Sequence, residues 1–378
     1  MQKCLNEKRW NFEWIGESPF GESKKALLIP LYNESGSDFE ARLGYFDSVA
    51  REFCQELDVI IIDDGSSDDS LEAMKRYKEK NQALFYITSV FPNGQKVGAL
   101  FLTALHISHD IVVLSDFDTQ LVGIEKLFGE SKSCLYDSNF MGCYFRMLPF
   151  DGNGNIFEFQ QLEYSIERSI YKFHRKEHTI RVMPGAGSCY KREVLLDIYS
   201  AHSGLRSGED REATIIGLKL GYKVLYLENV LALTKPPSSF KSLVRQRIRW
   251  NLGYIETFYK ELSYYLQEIR RMSVVGRITL IDLLVVILMI LLPYLIFALG
   301  VWDFQKLLVF IASIYFLKIL WCLYLLSVSP AESREFKHKR LSVIIAYPFI
   351  KISLDSIAWT GAVIKFVRNW RLSRKNPG

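Results

Sequence analysis

The amino-acid sequence predicts an α/β fold, a doubly wound and mostly parallel sheet, followed by C-terminal transmembrane helices. Three observations carry that expectation. Short β-branched runs alternate with helix-like stretches over about the first 270 of the 378 residues. Acidic clusters stand at the ends of three of those runs. Three long apolar runs fill the last hundred or so residues, and none precedes them.

The strand runs are residues 26–34 (ALLIPLYNE), 59–65 (VIIIDDG) and 111–118 (IVVLSDFD). Short, fully apolar strands ending in polar residues are what a parallel sheet buried on both faces requires. Helical patterns at 35–56, 70–81 and 97–108 separate them, which implies ligands at the carboxyl ends of the strands, where all three acidic clusters fall. Residues 156–180 read as an amphipathic helix, 184–188 (PGAGS) as a tight loop, and a helix is expected from near Gly208. A basic amphipathic helix follows Lys235 and contains RQRIRW, residues 245–250.

The apolar runs are 278–301, 307–329 and 341–367. The first two exceed the roughly 20 residues needed to cross a bilayer. The third carries Lys351 and Asp355, four residues apart and able to pair on one helix face, and it reads either as a span or as an interfacial helix. The two expected domains are therefore residues 1–270, cytoplasmic, and 271–378, membrane-embedded. Arg334, Lys337, Lys339 and Arg340 mark the loop before the third run as cytoplasmic. Three full crossings would put Arg368, Arg371, Arg374 and Lys375 outside, against the same rule. Either the third run stops short of crossing or the tail breaks the rule.

Mean hydropathy is +0.05, a figure that averages these two regions and misleads if taken as that of a soluble protein. The net charge of +5 suits anionic lipid or a small anionic substrate better than nucleic acid. The N-terminus has no apolar stretch of signal-peptide type, and Cys4 lacks the run a lipoprotein signal needs. The six cysteines (Cys4, Cys54, Cys134, Cys143, Cys189, Cys322) show no CxxC spacing, which argues for reduced thiols and against a zinc site or disulfide framework.

Asp116 and Asp118 alternate at a strand end, so both carboxylates are expected on one face, where they either hold Mg²⁺ or Mn²⁺ against a diphosphate or simply cap a helix or sit in a solvated turn. Asp63 and Asp64 end another strand, where carboxylates accept from a nucleobase or ribose; an Asx turn with Asp68 or Ser66 capping the next helix is the plain structural alternative. Tyr32, Asn33 and Glu34 form the turn after the first strand, which is either an ordinary strand exit or one whose Tyr32 offers a flat face to a base. Glu209 and Asp210 open a helix, either as favourable charges at its N-terminus or with one of them as a general base. Gln246, Arg249 and Trp250 share one helical face, able to supply hydrogen bonds, a phosphate clamp and a stacking surface, or simply a basic juxtamembrane helix with an interfacial Trp.

The ordered set IPLYNE, VIIIDDGSSD, GQKVGAL, LSDFDT, MPGAGSCYKREVL, GEDREAT–GLKLGYK and QRIRWNLG, over about residues 24–255, resembles the processive, membrane-integrated members of glycosyltransferase family 2, the synthases of cellulose, chitin, hyaluronan and poly-N-acetylglucosamine. The resemblance implies a GT-A fold, a UDP-sugar donor and Mg²⁺ or Mn²⁺. It implies that Tyr32, Glu34 and Asp63 or Asp64 contact uridine and that Lys96 approaches the diphosphate or sugar. Asp116 and Asp118 become the DxD pair, with Asp118 the better metal ligand, and Asp210, beside Glu209, takes the catalytic-base position. Gln246, Arg249 and Trp250 form the QxxRW signature at the acceptor and diphosphate end, and the Gly185–Ser188 loop, with Gly187 and Ser188, lines the acceptor site.

Gly208 stands where the family usually has Thr, no membrane helix precedes the catalytic segment, and two or three follow it. The function expected is inverting transfer to a growing β-linked polysaccharide by a multi-pass protein of the cell (inner or plasma) membrane. Its partners are a glycan or lipid-linked acceptor and membrane lipid, with a homo-oligomer or export subunits also open. The rivals are single transfer to a polyprenyl phosphate or other lipid, and an inactive UDP-sugar-binding or scaffold subunit of an export complex.

Overall fold

The structure is a computed structural model that describes residues 10–19, 25–129, 137–328 and 341–375, with side chains outside 167–173, 302, 341 and 372–375. Cys4, Cys134, the rest of the N-terminal stretch to residue 9 and the basic residues Arg334, Lys337, Lys339 and Arg340 lie outside the described residues, as do the side chains of Arg374 and Lys375. Two compact units emerge: residues 1–148 with 181–234, and residues 149–180 with 235–378. They do not follow a single boundary near residue 270, because the two amphipathic helices on either side of residues 181–234 bury their apolar faces against the apolar helices that come later.

In the first unit the elements are β1 (Asn11–Trp14), β2 (Lys25–Leu31), α1 (Phe39–Glu52), β3 (Leu57–Asp63), α2 (Ser70–Asn81), β4 (Tyr86–Phe91), α3 (Gln95–Leu105), β5 (Ile111–Leu114), β6 (Thr119–Val122) and α4 (Lys126–Gly129). There follow β7 (Phe140–Pro149), β8 (Ser188–Lys191), α6 (Arg192–Ser200), α7 (Glu209–Lys219) and β9 (Lys223–Thr234), with α5 (Gly154–Arg175) inserted after β7 and belonging to the second unit. Among the described residues the strands form one sheet in the order β1-β4-β3-β2-β5-β8-β7-β9-β6. Its parallel part is β4-β3-β2-β5, of which β2, β3 and β5 are the strands expected from the apolar runs. Antiparallel pairs extend it on both sides, β1 on β4 and then β8 on β5, β7 on β8 and β6 on β9, so the whole sheet is mixed.

The apolar runs are buried on both faces for a simple reason of alternation. Leu27, Ile29, Val59 and Ile61 pack with Phe39, Leu43 and Phe46 of α1. Their neighbours Ala26, Leu28, Ile60 and Ile62 point the other way and are also fully buried, on the side where α3 crosses β2 and β3.

The second unit contains α5, α8 (Phe240–Lys260), α9 (Leu262–Arg270), α10 (Val274–Trp302), α11 (Phe304–Val328) and α12 (Leu341–Lys375). A reciprocal capping box between Ser239 and Ser242 starts α8, and Ser273 Oγ accepts from Gly276 N at 3.0 Å to start α10. Among the described residues three helices are long and apolar enough to cross a membrane, over Val274–Val301, Phe304–Ser327 and Ser342–Arg371. Lys351 and Asp355 pair at 2.8 Å as their spacing predicted. The same Lys351 ammonium also meets buried Glu163 of α5 at 2.9 Å.

Candidate active site

The parallel register sets Leu31 beside Asp63, so the loops after β2 and β3 leave the sheet at one level and knit together. Asn33 takes a left-handed φ of 56°, which asparagine tolerates. Its Oδ1 accepts from Ser67 N at 2.8 Å and its own N–H donates to Ser66 Oγ at 3.0 Å. Glu34 N donates to Ser70 Oγ at 2.9 Å and Ser35 Oγ to Asp68 at 2.7 Å. Asp68 also accepts from Ser70 N at 3.0 Å, while the N-cap position of α2 is Asp69, which makes no side-chain capping bond. Tyr32 projects from this clasp, 45% exposed. The Glu34 carboxylate is paired with Arg42 of α1 at 2.8 Å, and Arg42 also holds Asp38 at 2.8 Å.

Asp63 and Asp64 are both buried and do different things. Asp63 receives two long contacts of 3.3 Å from Ser66 N. Asp64 Oδ1 accepts from Gly94 N at 2.6 Å, while Asn93 Nδ2 donates to the Asp64 carbonyl at 2.8 Å. Asp64 is thereby tied to the N-terminus of α3, a favourable place for a carboxylate. Burial nevertheless pushes its pKa up to about 7, against the opposing bond from Gly94.

That anchoring fixes Lys96, in the first turn of α3. Its ammonium meets Asp116 Oδ1 at 2.5 Å. Burial alone would lower the Lys96 pKa, but Asp116, Asp210 and Glu209 outweigh it and hold the ammonium well above its ordinary value. Lys96 is therefore the cation that joins the two acidic motifs of this unit.

β5 ends at Leu114, so Asp116 and Asp118 lie beyond the strand. The expectation that strand alternation aligns them is corrected: a turn closed by Thr119 N donating to the Asp116 carbonyl at 3.0 Å carries them instead. Phe117 between them packs into the core against Phe39 and Phe46, which leaves the flanking carboxylates at the surface of the unit. Asp118 accepts from Thr119 Oγ1 at 3.2 Å. The surrounding protein and then the charge of Asp116 push its pKa up to about 6.

Gly208, with φ +80°, precedes α7. Asp210 in the first turn accepts from Gly185 N at 2.9 Å, and Thr214 Oγ1 donates to the Asp210 carbonyl at 2.7 Å while accepting from Met183 N at 2.8 Å. The 183–185 loop and α7 are thus stitched at two points. A Cβ on Gly185 would stand 2.6 Å from Lys96 Nζ and collide with the Asp210 carboxylate. Burial pushes the Asp210 carboxyl above the usual range, opposed by Lys96 and reinforced by Asp116. Gly187 and Ser188, expected to line the acceptor site, are instead buried at the start of β8, where Ser188 stands opposite both Leu114 and Tyr144. Of the PGAGS loop, Gly185 is the residue that touches Asp210.

In the second unit, α8 carries Gln246, Arg249 and Trp250 as expected, with Arg249 and Trp250 exposed. Arg247, which the sequence reading passed over, is buried, pairs with Glu163, and stacks its guanidinium 4.1 Å from the Trp250 ring. Arg42, likewise missed, is signalled only by its spacing of four from Asp38.

Among the described residues no group of three or more His, Cys, Asp or Glu is placed to hold a metal. Asp116 and Asp118 nonetheless fit a hard divalent cation, which binds one or two carboxylates together with substrate phosphates and water. The Asp118 carboxylate, whose ionised form the surrounding protein and the charge of Asp116 disfavour, is a donor such a cation relieves.

A parallel strand core with knitted acidic loops at its carboxyl ends, a two-carboxylate turn and a helix-borne acidic pair make up a fold of the GT-A type. Residues 26–198 match the model Glycosyl transferase family 2, and residues 144–330 match Glycosyl transferase family group 2. The chain belongs to glycosyltransferase family 2. An N-acetylglucosaminyltransferase of Bradyrhizobium diazoefficiens is 25% identical over 241 residues, covering 59% of this chain and 47% of that one. A poly-beta-1,6-N-acetyl-D-glucosamine synthase of Staphylococcus aureus is 22% identical over 236 residues, covering 62% and 55%. The chain spans about half the length of the curated relatives it matches. The mannosyltransferase PcManGT from Pyrobaculum calidifontis, solved with GDP-Man and Mn²⁺, is similar in fold over 96% of this chain and 91% of that chain, with a TM-score of 0.56 and 15% identity.

Proposed function

We propose that this chain is an inverting transferase that moves N-acetylglucosamine from a UDP-sugar to a growing β-linked polysaccharide at a membrane. The observation that carries the reading is the Asp210–Lys96–Asp116 constellation, in which a carboxylate made more basic by burial sits beside a cation and the DxD turn. The choice of sugar rests on the names of the relatives. Membrane attachment rests on the three apolar helices, and the cytoplasmic side for the α/β unit on the basic residues within 334–340, before the third of them.

In this mechanism Asp210 takes the proton of an acceptor hydroxyl. The oxygen attacks C1 from the face opposite the diphosphate, the bond from C1 to the diphosphate oxygen breaks, and an α-linked donor yields a β-linked product. Lys96 stands beside both carboxylates and places positive charge toward the diphosphate. Mg²⁺ or Mn²⁺ held by Asp118 with Asp116 supplies charge neutralisation of the leaving diphosphate when bound. Asp63 is the stronger candidate for uridine, because Asp64 is committed to α3, and Tyr32 offers the base a flat face. The phosphate and acceptor roles of Gln246, Arg249 and Trp250 rest on the sequence resemblance.

Asp210→Asn is expected to abolish transfer while leaving UDP binding intact; near-full transfer by the purified variant would remove Asp210 from the base role. Product sizing with radiolabelled UDP-N-acetylglucosamine and Mg²⁺ or Mn²⁺ tests chain growth. A ladder or long polymer supports it, and a single glycolipid overturns it in favour of one-sugar transfer to a lipid.

A further inference from the structure

We propose that His202 and Glu212 are positioning residues for Asp210, acting through the backbone that enters α7; this rests on the reading of Asp210 as general base. The entry to α7 is short of ordinary supports. Its N-cap is Gly208 in a left-handed conformation, and no side chain caps the helix. With glycine at the N-cap, no side chain there accepts from the free N–H groups of the first turn. Yet this start carries the carboxylate that needs the most accurate placement in the unit.

The missing support comes from seven to nine residues upstream. His202 and Glu212 are both fully buried. His202 Nδ1 accepts from Gly204 N at 2.9 Å, which assigns the proton to Nε2. Nε2 lies 3.1 Å from the Glu209 carbonyl and 3.4 Å from Glu212 Oε2. The His202 ring therefore donates to the peptide unit that links Glu209 to Asp210. Glu212 completes the bracket: its two oxygens accept from Ser203 N at 2.9 Å and Ser203 Oγ at 2.8 Å. The 202–204 segment is held to the first turn of α7 from two sides, and Tyr199 of α6 abuts the His202 ring edge-on at 6.1 Å.

A buried carboxylate with this many partners is costly to replace for stability alone. Its position gives it the second role. Glu212 lies two residues past Asp210, and the carbonyl His202 engages lies one residue before it. On the far side, Gly185 N and Thr214 Oγ1 hold the Asp210 carboxylate and carbonyl. Asp210 is thus clamped between the 183–185 loop and the His202–Glu212 bracket, and loosening either side displaces the base from its approach to the acceptor.

The test uses the whole chain in nanodiscs, with initial rates of transfer from UDP-N-acetylglucosamine and UDP binding by calorimetry. His202→Phe keeps a flat ring and removes the N–H. It is expected to lower kcat about 100-fold, since a displacement of about 1 Å costs that much, with the donor KM within about twofold. His202→Gln returns an N–H and should recover roughly tenfold of the loss. Glu212→Gln should show the same split of kcat against KM, and it decides the matter if His202→Phe fails to fold. An unchanged kcat in these variants, or a parallel rise in donor KM, overturns the proposal. Retained transfer by Asp210→Asn alone would instead overturn the general-base reading, a result distinct from an inactive Asp210→Asn beside an active His202→Phe.

Discussion

Gly185 is a glycine because the volume a side chain needs is already held by the Asp210 carboxylate and the Lys96 ammonium, the latter 2.6 Å from a would-be Cβ. Both obstructing groups are the far ends of flexible side chains, so an added methyl moves them and leaves the fold intact. Gly185→Ala is therefore expected to cut the transfer rate by about 100-fold or more with a thermal midpoint near wild type. Retention of more than half the activity would show that the close approach does not matter to the chemistry. This contact was half legible in the sequence. PGAGS reads as a tight loop, and acidic pairs at strand and helix ends read as chemistry. What the residues could not reveal is which glycine meets which carboxylate, since Gly185 and Asp210 are 25 positions apart. Lys96 came from motif resemblance, and its pairing with Asp116 is a tertiary fact. Arg42 escaped because an Asp–Arg spacing of four is common on exposed helices and marks no site by itself.

At the scale of elements, apolar continuity was a sound guide where strands are buried on both faces. β2, β3 and β5 were read from it, and α2 lies where its pattern put it, at Ser70–Asn81. β7, β8 and β9 were not read as strands. Their sequences mix apolar with polar and aromatic residues, and their pairing partners are distant in the chain. The second unit shows the same limit in its ion network. The Lys351–Asp355 pair follows from spacing, whereas Glu163 and Arg247 meet across helices far apart in sequence. Burial alone would raise the Glu163 carboxyl, but Arg247 and Lys351 hold it down at about 2. Glu163→Gln leaves two cations without their shared partner, and loss of one member of such a group costs about 3–5 kcal/mol. A clear drop in the thermal midpoint of the detergent-solubilised protein is expected, with Glu163→Asp intermediate. An unchanged midpoint for Glu163→Gln would mean that solvent or lipid headgroups satisfy Arg247 and Lys351.

Over the whole molecule, a mean hydropathy of +0.05 averages an α/β unit dense in buried carboxyls and a helical unit dense in exposed apolar side chains. The first of these has a consequence for stability. Asp63, Asp64 and Asp210 all stand above the ordinary carboxyl range, with burial the leading cause for each. A group whose folded pKa is raised binds its proton more tightly in the folded state. Its contribution is fully present below about pH 4 and is lost as pH rises through the folded value. For Asp64, raised to about 7 and buried, the window runs from about pH 4 to pH 7 and the effect is on the order of 4 kcal/mol. Lys96, also raised, stays protonated throughout that window and adds no slope there. The thermal midpoint of the α/β unit is therefore expected to fall between pH 5 and pH 7.5 by several degrees, at roughly 2–4 °C for each kcal/mol. Asp64→Asn, which keeps an oxygen for Gly94 N but has no charge to bury, should shrink that fall by roughly half. A midpoint that stays level across the window in the wild type, or an undiminished slope in Asp64→Asn, would show that Asp64 ionises without cost and that its tie to α3 already compensates its burial.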